Sequence, residues 1–163
     1  MINDIDRTIL HILQQDARVT NADLARQVGM APSAVLERVR KLEARGLIQG
    51  YMARLDPRPL DLGLLAFIFV RVDERVGTCA AGELMAAMPE VQEVHHIAGE
   101  DCYLVKVRAA DTDTLGRMLR ERFGAIPSIR STRTTIVLST LKESALLPIS
   151  EPSHTATEAT DHE

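Results

Sequence analysis

Tryptophan is absent from the 163 residues, and only three phenylalanines and two tyrosines occur. Any core must therefore be aliphatic, and 45% apolar residues against 26% charged is the composition of a folding globular chain. Only two cysteines occur, Cys79 and Cys102, with no C-x-x-C pair. Neither a disulfide framework nor a zinc site follows, and a reducing cytosol fits best. No apolar stretch approaches the roughly 18 residues of a membrane span. The N-terminus has acidic residues before its first apolar run and no small-residue cleavage site, which argues against a secretory signal. The length suits one larger domain or two small ones and is too short for an α/β barrel.

Catalytic and metal signatures are also lacking. There is no G-x-S-x-G or H-E-x-x-H motif, so an enzyme reading has no residues to assign. The run GTCAAGEL has the glycine spacing of a phosphate loop, but Glu83 stands where a lysine must meet the phosphates. His95 and His96 are adjacent, and in a strand they point to opposite faces, so they do not share a metal. No metal and no cofactor is expected.

The net charge of -4 is unevenly spread. Residues 1–60 hold nine Lys/Arg against seven Asp/Glu, residues 61–147 ten against twelve, and residues 148–163 none against four. Between residues 33 and 54, Arg38, Arg40, Lys41, Arg45 and Arg54 outnumber Glu37 and Glu43. That local excess of positive charge suits either a phosphate-facing patch or a solvated helix face with i to i+4 pairs.

Ile5, Ile9, Ile12 and Leu13 recur at helical spacing behind Asn3 or Asp4 as N-cap, which predicts a first helix over 4–16. Thr20 with Asp23 forms a capping-box pattern, Leu24 and Val28 give the apolar stripe, and Gly29 the left-handed stop. Pro32 then opens a third helix, where its missing N–H costs nothing, and Gly46 ends it. Val35, Val39 and Leu42 form its buried stripe, leaving Ser33, Glu37, Arg40, Lys41 and Ala44 outward. Two helices joined by a short Gly-containing turn are the helix-turn-helix signature, with the second helix in the major groove. Ser33 and Ala34 permit close approach there. Arg38, Arg40 and Lys41 can reach guanine edges or phosphates, and Glu37 can accept from cytosine. Residues 47–51 read as a short strand and candidate wing, closing a winged helix-turn-helix domain over 1–51.

A bridge over 52–61 carries Pro57 and Pro59 and reads as a hinge. Beyond it the pattern changes period. A nearly continuous apolar strand is predicted over 62–73, a helix over 78–88, strands over 91–98 and 102–109 around a 99–101 hairpin loop, a helix from Asp111, and a last strand over 129–141. This βαββαβ order is the ferredoxin-like split motif, so the fold class is α+β with the second domain over 62–145. Both helices cover one face of such a sheet. Phe67 and Phe69 then make the other face apolar, which predicts a face-to-face homodimer. A dimer would place two reading heads about 34 Å apart on a palindromic duplex. The remaining 146–163 has too little apolar surface to order itself and reads as an acidic, disordered tail.

The segments DRTILHILQQDARVTNADLARQVGM, APSAVLERVRKLEARGLIQGY, LDPRPL and AGEDCYLVKVRAAD resemble the Lrp/AsnC family of leucine- and asparagine-responsive transcriptional regulators, over about residues 2–145. The resemblance implies a cytoplasmic, nucleoid-associated bacterial or archaeal regulator that binds double-stranded DNA. It also implies assembly of homodimers into tetramers or octamers and an amino-acid or related small-molecule effector bound between dimers. Carried over residue by residue, the effector positions are His96, Gly99, Asp101, Cys102 and Tyr103, with Thr135 and Ile136 across from them. The Gly-loop amides suit a carboxylate and Asp101 an ammonium. Cys102 replaces an acidic residue frequent in the family, and Ala31 replaces the usual Ser or Thr before the proline. The competing readings are an architectural DNA-binding protein without effector and a metabolite-binding module that does not act on DNA.

Overall fold

The structure is a computed structural model and describes residues 2–75 and 78–149. The chain divides into two compact units, Met1–Arg54 with the chain from Glu143 onwards, and Leu55–Lys142.

The first unit holds three helices, α1 (Asp4–Gln15), α2 (Asn21–Val28) and α3 (Pro32–Ala44). The capping residues read from the sequence perform as expected. The Asn3 side chain accepts from the Asp6 amide, and Thr20 accepts from the Asp23 amide. Gly29 sits at φ 68°, where a β-carbon is unfavourable, and the Met30 N–H closes back onto the Ala25 carbonyl at 3.0 Å. Pro32 occupies the first turn of α3. Ile9, Leu24, Ala25, Val35, Val39 and Leu42 form the buried core. The expected wing is not built, because residues 47–51 carry no strand. The amides of Leu47 and Ile48 instead turn back to the Leu42 carbonyl, and their side chains pack on the core.

Of the expected tail, the stretch up to Ile149 is placed. The Leu147 N–H donates to Gln14 Oε1 at 2.7 Å, and Gln14 Nε2 donates to the Leu147 carbonyl at 3.2 Å. One side-chain amide thus imitates a strand neighbour. Residues 150–163 of that expected tail lie outside the described residues.

The second unit is a four-stranded antiparallel sheet in the order β2-β3-β1-β4, formed by β1 (Leu64–Val72), β2 (Val91–His96), β3 (Tyr103–Ala109) and β4 (Ile129–Ile136). Helices α4 (Ala80–Ala86) and α5 (Thr112–Met118) complete it, α5 running on through a wide turn over Leu119–Phe123. The element order is the βαββαβ read from the sequence, with shorter strands at several ends. Alternation along β1 buries Ala66, Ile68 and Val70 with Tyr103, Val105 and Val107, while Phe67 and Phe69 lie half-buried on the opposite face. Tyr103 reaches α4 at Gly82, where an added β-carbon would lie 2.8 Å from the ring.

Candidate nucleic-acid interface and effector region

In the first unit, the three-residue turn from Gly29 to Ala31 leads directly into α3, whose apolar stripe is fully engaged with α1 and α2. That fixes the remaining face. Ser33, Glu37, Arg40, Lys41 and Ala44 are all exposed, as the helical rotation requires, and Ala34 is half-buried. The cations differ in their engagement. Arg38 lies on the flank, half-buried, and donates to the largely buried Asp6 of α1 at 2.8 Å. Lys41 pairs with Glu37 at 2.6 Å, and its hydrogen bond and charge hold that carboxyl below the usual range. Arg40 has no ionic partner among the described residues. A hollow of ≈ 460 Å³ runs along the flank, lined in part by Asp6, Ala34, Arg38, Lys41 and Arg45. The arrangement suits groove insertion, with small residues at the entering end and long charged arms behind. The Asp6 contact spans 32 residues, and nothing in the local periodicity announces it.

In the second unit, His96, Gly99, Asp101, Cys102 and Tyr103 gather at the turn between β2 and β3. His96 is opposite Tyr103, with ring centroids 5.2 Å apart. Gly99 takes φ 135°. The Cys102 amide donates to the Val70 carbonyl at 2.9 Å, and its thiol lies 3.8 Å from the Val72 carbonyl. Burial foremost, then the neighbouring Cys79, raises the Tyr103 phenol above its usual pKa. Asp101 is engaged already, accepting from Arg133 at 2.9 Å, and the Arg133 guanidinium stacks 4.0 Å from the centre of the Phe69 ring. Arg133 was not among the expected site residues. Its only sequence signal is its place in the alternation of the last strand. Thr135 and Ile136 do not join this cluster within one chain, since they pair with Phe67 and Ala66. Val70 is the residue level with both Tyr103 and Thr132, so Thr135 lies three residues further on, about 10 Å along the strand.

Among the described residues no group of three or more His, Cys, Asp or Glu side chains can hold a metal, and no helix is long and apolar enough to cross a membrane. A helix-turn-helix whose last helix is turned outward, followed by a ferredoxin-like α+β unit, defines a DNA-binding transcription regulator with a separate sensing or assembly domain.

The relatives narrow that class. The model of the AsnC-type helix-turn-helix domain matches residues 2–43, and that of the Lrp/AsnC ligand binding domain matches residues 65–147. The leucine-responsive regulatory protein of Salmonella typhimurium is 38% identical over 151 residues, 91% of this chain and 92% of that protein. A Neisseria meningitidis transcriptional regulator in complex with L-Met superposes with a TM-score of 0.82 at 28% identity, covering 91% of this chain and 97% of that one. The feast or famine regulatory protein of M. tuberculosis complexed with L-methionine gives 0.83 at 33% identity, covering 90% and 99%. The chain belongs to the Lrp/AsnC family of transcriptional regulators.

Proposed function

We propose that this protein regulates transcription by inserting α3 into the major groove of duplex DNA, with Ser33, Ala34, Glu37, Arg38, Arg40 and Lys41 as the residues that read or orient it. The supporting observation is the outward face of α3, exposed along its length and backed by a fully buried stripe. Footprinting on promoter fragments tests it. The wild type should protect a discrete site, and Arg40→Ala with Lys41→Ala should weaken protection strongly and flatten the salt dependence of the remaining binding by one to two units of slope. An unchanged slope would sink the assignment.

The second unit is the proposed site of assembly and sensing. The half-buried Phe67 and Phe69 form the proposed dimer face, and dimers join into tetramers or octamers. An amino acid binds near His96, Gly99, Asp101, Cys102 and Tyr103, with Thr135 and Ile136 supplied by another subunit. Support comes from the bound methionine in two relatives and from the failure of the two groups to meet within one chain. An effector acts only to the extent that it prefers one assembly over another. A panel of amino acids should therefore raise the thermal midpoint and change the mass in solution. Stability without a mass change would favour ligand binding uncoupled from assembly, and neither change would favour an architectural role. No catalytic step is assigned, and the proposed location is the cytoplasm, on the nucleoid.

A further inference from the structure

The reading face of α3 sorts itself once its ion pairs are traced. Of its cations, Arg38 is drawn to the flank by Asp6, and Lys41 is held by Glu37. Arg40 is exposed and, among the described residues, its guanidinium has no ionic partner. Its five donors form a planar fork that matches O6 and N7 of guanine.

Glu37 is the unexpected member. A carboxylate on a surface that meets a polyanion is repelled unless a cation accompanies it. Lys41, one turn later, supplies that cation and keeps the carboxyl ionised, and therefore an acceptor only. The same pairing draws Glu37 away from Arg40, which at a spacing of three residues would otherwise compete for it. The backbone positions that carry the acceptor and the donor fork are thus about 4.5 Å apart along the helix axis, so two long side chains rooted there can reach adjacent base pairs, which are about 3.4 Å apart.

We propose that Glu37 and Arg40 are a coupled reading pair. Arg40 takes a guanine, and Glu37 accepts from N4 of a cytosine within one base-pair step, while Arg38 is a positioning residue that seats α3 on α1 and reads no base. This rests on α3 being the groove-facing helix and adds which bases it selects.

Selection of bound duplexes from a random library, using the full chain as wild type, Arg40→Ala, Glu37→Ala and Arg38→Lys, tests the assignment. The wild type should enrich half-sites with a fixed guanine and a cytosine within one step. Arg40→Ala should weaken binding to that site roughly tenfold or more and free only the guanine position. Glu37→Ala should free only the cytosine position and bind random duplex more tightly, since a repelling charge is gone. Arg38→Lys, which still reaches Asp6, should leave the consensus intact. A consensus that survives either alanine variant, or that changes in Arg38→Lys, overturns the pair. A wild type that retains no duplex overturns the groove assignment itself, which separates the two failures. Both alanine positions are exposed, so thermal unfolding of those variants should match the wild type.

Discussion

The two units reach stability by different routes. Among the described residues, the helix-turn-helix unit buries six in its core cluster, drawn from three helices, whereas the second buries fourteen around its sheet and helices. With so small a core, the first unit leans on local devices: the Asn3 and Thr20 caps, the left-handed Gly29, and Pro32 at a helix start. The second leans on strand pairing across long sequence separations. One buried side chain is therefore a larger share of the first unit than of the second, and the proposed DNA-reading charges lie on the unit with the smaller core.

This contrast can be broken most directly through the cores. Leu42→Ala should cost about 2–5 kcal/mol, as should Ile68→Ala in the other unit. Only the former should unfold its unit under native conditions, visible in calorimetry as a separated early transition together with loss of duplex binding. A single shared transition would mean the units are not independent. Gly82→Ala should follow at about 1–3 kcal/mol, because the Tyr103 ring must move, and should lower only the second unit's transition.

Caps sharpen the other side. Ala31 precedes α3 in extended conformation with no side-chain hydrogen bond. Ala31→Ser should supply one and raise the first unit's transition by about 0.5–1 kcal/mol, while Thr20→Ala should lower it by about 1 kcal/mol. The smallest effect is expected at Glu93, whose carboxyl is held low by the Lys106 hydrogen bond and then by His95. That contribution is present above the ordinary carboxylate pKa of about 4.3 and is lost as pH falls through the lower folded value. The pair is partly exposed, so Glu93→Gln should remove under about 1 kcal/mol and make the acid limb of the second transition shallower.

Local signals made the first unit legible. Apolar spacing, two caps, a glycine stop and a proline start lie within a few residues of each other, the caps and the glycine stop make their expected hydrogen bonds, and the proline stands where its helix begins. In the second unit the order of elements was legible, but their ends were not. The apolar run after β4 continues past the last ladder pair at Ile136, so composition overstated the strand. The wing failed for a related reason, since Leu47 and Ile48 have the side chains of a strand but spend them on the core. Least legible were contacts between distant residues. Asp6 with Arg38 and Asp101 with Arg133 each join positions 32 apart, and they change what Arg38 and Asp101 are free to do.

The bonds between Gln14 and Leu147 make the DNA-reading unit discontinuous in sequence. A fragment ending at Arg54, the natural choice from a linear reading, would strip Gln14 of both partners. Conversely, a protease cut within Met52–Asp56 would sever one covalent crossing and leave a second at Lys142–Glu143. The N-terminal piece would then be tied to the rest through the exposed Gln14–Leu147 bonds and no longer through the chain itself.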